Sequence, residues 1–295
     1  MRPMKLTAVL AAPLLLLTLG CAPKDQGNVT AKSSDRPSGQ ASGQADACAP
    51  GNLPLTTSGK LTIGTDSPAY DPWFRHNNPS NGEGYEGAVA YAVAQQLGFN
   101  KSQVSWVRVP FNNSYAPGPK RFDFDINQIS ITPAREKVVD FSTGYYSASQ
   151  AVIAMKKKHL QPGSMADLKS LKLGAQTGTT SLTAIRDVIK PSQSPLVFTN
   201  TNVAKQALMN GQVDAVVTDL PTAFYITAAE IPGSEILGQF QPVTGQHEEF
   251  GLLMQKGSGL KPCLDKAVTT LKDNGTLADL EQRWLSQTVN VPVLK

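Results

Sequence analysis

The stretch that most constrains the fold runs from Phe122 to Tyr146, FDFDINQISITPAREKVVDFSTGYY. Phe124 to Ile129 sets apolar side chains at alternating positions, the pattern of a half-buried strand. A polar turn over Ser130–Thr132 follows, Thr132 can N-cap a helix, and Pro133 suits the first helical position, where a missing N–H costs nothing. The spacing predicts a strand, a turn and a short helix. Arg135 lies one turn into that helix, just beyond the carboxyl end of a strand, where open α/β sheets place their ligands. Its planar fork matches a carboxylate, and Ser130 and Thr132 can add donors. The alternative is a surface arginine paired with Glu136 or Asp140.

The run Ile129-Ser130-Ile131-Thr132-Pro133-Ala134-Arg135, followed by Val138-Val139-Asp140-Phe141-Ser142 and Tyr145-Tyr146, resembles the signature of the polar amino-acid binding proteins of bacterial ABC importers, the extracellular solute-binding protein family 3. The resemblance covers roughly 59–285. It implies an α/β fold of the two-lobed, type II periplasmic-binding-protein kind, each lobe a mixed sheet flanked by helices, with two crossing hinge strands. It also implies that Arg135 grips the α-carboxylate of a ligand, with Gln128 and Ser130 beside it.

The 295 residues allow two modest lobes, and 40% hydrophobic against 17% charged content fits a foldable chain. The net charge of +4 includes Arg2 and Lys5 of the leader, and the remainder is too weak to argue for nucleic acid. Residues 1–20 combine those two cations with an apolar core from Leu6 to Leu19, too short and wrongly flanked for a membrane span, so they read as a secretory signal. Leu17-Thr18-Leu19-Gly20-Cys21 resembles a lipoprotein cleavage box, with Thr18 where the pattern favours Leu. That implies cleavage before Cys21, lipidation of its thiol, and a lipid-anchored protein facing the extracellular or periplasmic side.

Export suits disulfides, and Cys48 and Cys263 are expected to pair, stapling the N-terminal segment to the fold; two free thiols are the alternative. The three histidines show no ligand spacing with them, so no metal is expected, and no cofactor. From Ala22 to about Ala47 the chain is Gly, Ser, Gln, Asp and Lys with almost no large apolar residue, a composition that cannot offset its ordering entropy. The expected organisation is a signal peptide over 1–20, a lipidated N-terminus and tether over 21–58, lobe 1 from 59–149 plus 248–295, and lobe 2 from 150–247.

Gly64-Thr65-Asp66 and Tyr70-Asp71-Pro72-Trp73 look like the family's first pocket loop, which implies Asp66 against the ligand side chain and Tyr70 with Trp73 as cover; ordinary packing is the alternative for both aromatics. Gly82 to Gly87 matches G-x-G-x-x-G, but no strand precedes it, so it reads as the start of a helix through Leu97 rather than a nucleotide fingerprint. By position in the family, Phe111 stacks opposite Tyr70. Ser114 to Pro119 carries two prolines and a glycine where relatives keep a helix, so a regular helix is not expected there.

The cluster Thr177-Gly178-Thr179-Thr180-Ser181 opens a helix, whose free N–H groups and positive end suit an anion. The resemblance implies that Thr179 and Thr180 take the α-carboxylate from lobe 2; plain capping is the alternative. Val213 to Asp219 is a buried strand delivering Asp219 to the cleft, and a carboxylate there needs a cationic partner. The family supplies the ligand's α-ammonium, whereas the local alternative is a cap on the helix after Pro221. Ser147 to Gln150 and Val243 to Glu249 are the expected crossings. The function expected is capture of a free, polar amino acid and delivery to a membrane permease, by a monomer without catalysis. A dehydratase-like cleft enzyme and an amino-acid sensor are the competing classes.

Overall fold

The computed structural model describes residues 47–241, 247–285 and 291–295. The signal segment, Cys21, the tether up to residue 46 and most of the expected return crossing lie outside the described residues.

Ten strands form two five-stranded sheets. They are β1 (Leu61–Thr65), β2 (Val104–Arg108), β3 (Phe124–Asp125), β4 (Val139–Ala148), β5 (Gln150–Met155), β6 (Leu173–Gln176), β7 (Leu196–Phe198), β8 (Ala215–Asp219), β9 (Ser234–Phe240) and β10 (Glu248–Gln255). The first sheet runs β2-β1-β3-β10-β4 and the second β7-β6-β8-β5-β9. In each, three parallel strands are followed by antiparallel pairing to strands next to the crossings. Only Ser149 separates β4 in the first sheet from β5 in the second. The lobes are therefore joined at a single-residue step there.

The helices are α1 (Tyr85–Gln96), α2 (Phe111–Ser114), α3 (Pro133–Glu136), α4 (Thr180–Ala184), α5 (Thr201–Met209), α6 (Leu220–Tyr225), α7 (Lys261–Asp273) and α8 (Thr276–Leu285). Val89, Val93 and Leu97 pack with Leu264, Val268 and Leu271 over Leu61, Ile63, Phe124 and Ile126 of the first sheet. Each such side chain contributes roughly 1.5–3 kcal/mol by leaving water. The second lobe splits its core between two clusters, one on each face of its sheet.

Three expectations need correction. The strand expected from Phe124 to Ile129 holds its ladder only at Phe124–Asp125, because the backbone turns at Gln128 with φ of 49°, and the Gln128 N–H goes to Glu86 Oε1 at 2.7 Å instead of to a strand. The N-terminal segment is not a tether to residue 58: Cys48 is bonded to Cys263 of α7, Leu53 is buried, and Thr56 donates through both its N–H and its hydroxyl to Asp123 Oδ1 at 2.6 and 2.8 Å. The C-terminal residues 291–295 do not stay with lobe 1. Val293 bridges Gln239 of β9, Leu294 N–H donates to the Gln239 carbonyl at 2.8 Å, and Leu294 is buried in the second lobe, where a side chain at Gly238 would meet it at 2.5 Å. The absent side chain of Gly238 makes that approach possible.

Candidate functional site

A narrow cavity of about 50 Å³ opens between the two sheets at the carboxyl ends of their parallel strands. Asp66, Tyr70, Phe111, Gln128 and Ser130 line it from the first lobe, and Thr179, Thr180 and Asp219 from the second. Eight of the ten residues expected from the sequence thus share one cavity. Trp73 and Arg135 are not on its wall.

Arg135 sits on α3, whose first turn is capped by Thr132 as the spacing predicted: Thr132 Oγ1 accepts from the Arg135 N–H at 3.2 Å. Its guanidinium donates to the carbonyl of Ser130 at 2.7 Å and to that of Gly178, in the other lobe, at 3.0 Å. The rings of Tyr115 and Phe111 cover it at 4.7 and 5.6 Å. Arg135 is thus a buried clamp behind the wall rather than part of its surface. Tyr115 O–H also donates to the Gly178 carbonyl, at 3.2 Å. Gly178, with φ of 74°, has to be glycine: a Cβ there would lie 2.1 Å from Asn112 Oδ1 and 2.2 Å from the Tyr115 hydroxyl.

Thr179 is the N-cap of α4, accepting from the Leu182 N–H at 3.1 Å and donating to the Gln176 carbonyl at 2.8 Å. Thr180 Oγ1 faces Ser130 Oγ across the cleft at 3.3 Å. Hydroxyls from opposite lobes therefore meet at one end of the cavity.

Asp219 occupies the N-cap position of α6 but makes no capping bond. Its Oδ1 accepts from Gln150 Nε2 at 2.8 Å, and the same nitrogen donates to Glu248 Oε2 at 2.8 Å. Ser130 Oγ donates to Glu248 Oε1 at 2.5 Å, and Ser181 Oγ to Gln150 Oε1 at 2.5 Å. Desolvation, together with the neighbouring Glu248 carboxylate, pushes the Asp219 carboxyl well above the usual range. Two acids share one amide donor, and the nearby Arg135 guanidinium offsets their charge only in part.

At the other end, Asp66 is held by the N–H groups of Ser67 and Phe111 at 2.6 and 3.0 Å. Burial pushes the Tyr70 phenol up to about 12, so it stays neutral; Lys205 of α5 reaches over its ring at 5.7 Å while paired with Glu230 at 2.6 Å. Behind this wall Glu86 is fully buried, accepting from Gln128 N–H, Gln128 Nε2 and Tyr145 O–H. Burial raises it to about 7 against those three bonds. Asp125 is buried with neither oxygen hydrogen-bonded, and desolvation beside Glu86 and Asp66 raises it strongly. Trp73 belongs to the core: it is fully buried against Tyr146 and Phe250, and its indole N–H donates to Thr222 Oγ1 of the second lobe at 2.8 Å.

The sequence profile of the bacterial extracellular solute-binding proteins, family 3, matches residues 61–287. The chain belongs to that family. Among curated relatives of this family 3 protein, the ABC transporter glutamine-binding protein GlnH of Bacillus subtilis (strain 168) is 29% identical over 72% of this chain and 77% of its own length. The arginine-binding extracellular protein ArtP of the same organism is 26% identical over 77% of this chain and 86% of its own. Among solved structures, the arginine-, lysine-, histidine-binding protein ArtJ of Geobacillus stearothermophilus superposes with a TM-score of 0.65 at 25% identity, over 79% of this chain and 96% of that one. Two mixed sheets flanked by helices are the architecture those neighbours share, a type II periplasmic binding fold. No helix among the described residues is long and apolar enough to cross a membrane.

Sequence reasoning missed Glu86, Tyr115, Gln150 and Glu248, which hydrogen-bond with or cover the cavity residues or Arg135 without lining the cavity themselves. Gln150 and Glu248 flank the two crossings, and polar residues at such places were the available signal. Nothing local marks Glu86, which occupies an apolar-looking helix face and meets Gln128 only through the fold.

Proposed function

We propose that this solute-binding protein captures a free L-amino acid, one with a cationic side chain, and delivers it to the permease of an ABC importer. The observation that carries the reading is the charge of the cavity wall: Asp66 and Asp219 line it at separate places and, among the described residues, no lysine or arginine does. A ligand with an α-ammonium for the Asp219–Glu248 pair and a second cation for Asp66 satisfies both. Its α-carboxylate belongs at the Ser130–Thr180 end, with the Arg135 guanidinium behind it. The names of ArtP and ArtJ, binders of arginine and of arginine, lysine and histidine, agree with this preference. The protein acts as a monomer without catalysis, held to the cell membrane by lipid on Cys21 and facing the extracellular or periplasmic side.

The hydrogen bonds from Arg135 and Tyr115 to Gly178, and from Trp73 to Thr222, tie lobe to lobe. A ligand bridging Asp66 and Asp219 adds to contacts made only when the lobes are together, so binding shifts the population toward closure.

Calorimetric titration of the chain from residue 22 with each common amino acid tests the reading. Binding of arginine or lysine with micromolar or tighter affinity is expected, equivalent to about 8 kcal/mol or more. Arg135→Ala and Asp219→Ala should each weaken it at least a hundredfold. Failure of every amino acid to bind a folded protein sinks the proposal. The raised carboxyl of Asp219 also favours a second reading, general-acid chemistry on a bound solute. Recovery of the ligand unchanged after long incubation decides against it.

A further inference from the structure

The cavity wall at Gln128 is held by a residue that does not touch the cavity. Gln128 lines the cleft, has a left-handed backbone with φ of 49°, and gives both its backbone N–H and its side-chain Nε2 to the fully buried carboxyl of Glu86 on α1. Tyr145 of β4 donates its hydroxyl to the same Glu86 oxygen that takes the Gln128 backbone N–H. The anchor is itself rigid, because Tyr85, one residue before Glu86, donates its hydroxyl to the Tyr145 carbonyl at 2.8 Å.

An ionised carboxylate has only acceptors, so it forces the amide of Gln128 to present its NH2 end inward. The end left for the cavity is then the carbonyl oxygen, Oε1. We propose that Glu86 is a positioning residue that sets the hydrogen-bond polarity of the cavity: through Gln128 it makes that part of the wall an acceptor, selecting ligands whose side chain donates. The inference rests on the amino-acid reading above and deepens it. It assigns discrimination between a donor-only side chain such as a guanidinium and a side chain that carries an acceptor to a buried pair.

Protonation reverses the logic. A neutral Glu86 carries an O–H, which can donate to Oε1 of a turned Gln128 amide and leave NH2 facing the ligand. The titratable groups around Glu86 are Tyr85 on its own helix, Tyr145 from β4, Asp125 from β3 and, across the cleft, Asp219. Both tyrosines are held above their ordinary range by burial and stay neutral through the physiological window. Asp219 titrates too, but it acts on the α-ammonium common to all candidate ligands, so a ratio of affinities cancels its effect.

The experiment is calorimetric titration of the wild-type chain, Glu86→Gln and Gln128→Gly with L-arginine and with L-glutamine from pH 5 to pH 8. Glu86→Gln keeps the shape while supplying its own NH2, and Gln128→Gly accepts the positive φ while removing the amide. The wild type should favour arginine over glutamine more than tenfold at pH 8, and the ratio should fall toward acid. Both variants, shown folded by their melting curves, keep the Asp66 carboxylate, so they should retain part of that ratio while losing its pH dependence. An unchanged ratio and pH profile in Glu86→Gln overturns this proposal alone, whereas a wild-type preference for glutamine overturns it together with the cationic side chain of the function reading. A wild type that binds neither ligand nor any other amino acid overturns it together with the function reading.

Discussion

Asp219 and Glu86 are two acids whose environments favour the neutral form for different reasons. Asp219 faces Glu248 with one amide donor between them and the Arg135 guanidinium nearby, and an arriving α-ammonium adds a further cation to the pair. Binding should therefore expel a proton, and affinity should fall as pH drops below the raised range of the pair. Calorimetry in buffers of different ionisation enthalpy reads that proton directly. Glu86 does not touch the ligand, so apart from its effect through Gln128 its shift appears in folding. Its folded pKa of about 7 lies above the ordinary 4.5, so the folded state binds the proton more tightly. Its contribution is greatest below the unfolded value and is lost as pH rises through about 7, an effect of at most roughly 3 kcal/mol. Urea unfolding between pH 4 and pH 8 should show this slope, and Glu86→Gln should flatten it.

At the scale of elements, the junction of β6 and α4 is where the lobes come closest. Gly178 accepts from Arg135 and Tyr115 of the first lobe, and its missing side chain leaves room for the Tyr115 hydroxyl and for Asn112. Gly178→Ala adds a methyl where 2.1 Å is available and asks a non-glycine residue to hold φ of 74°, a strain of roughly 1–2 kcal/mol. The lobes should remain folded while closure is blocked. Ligand affinity should drop at least tenfold, and small-angle scattering should show no contraction on adding ligand. Retained affinity with normal contraction would falsify this account of closure. α2 ends at Ser114 and no regular helix continues to Pro119, in keeping with the prolines there, yet this stretch delivers Tyr115 to the guanidinium.

For the whole molecule, the C-terminal residues add a connection that the two hinge segments do not account for. α8 packs on the first lobe, whereas Leu294 is buried in the second beside β9. Leu294→Ala should cost about 2–5 kcal/mol, as core truncations do, and the loss should be felt in the second lobe. Hydrogen exchange resolved by peptide would show faster exchange in β9 and β5 with the first sheet unchanged.

How much of this was legible depends on range. Local chemistry was: the Thr132 cap with Pro133, the helix carrying Val89, Val93 and Leu97, the parallel strands, and the Cys48–Cys263 pair all follow from propensity, period and compartment. The family signature around Arg135 carried the architecture with it. Long-range partners were not legible. Whether Arg135 faces the cavity or backs its wall depends on Gly178, and the end of β3 depends on Glu86, 42 residues from Gln128. Side chains so far apart in the chain meet only because the sheets bring them together, and burial then decides which hydrogen bonds they must make. The sequence by itself determined most of the elements, the two-lobed class and about half of the residues on the cavity wall; the tertiary structure alone decided which of them reach the cavity, which stand behind it, and which acids share a donor.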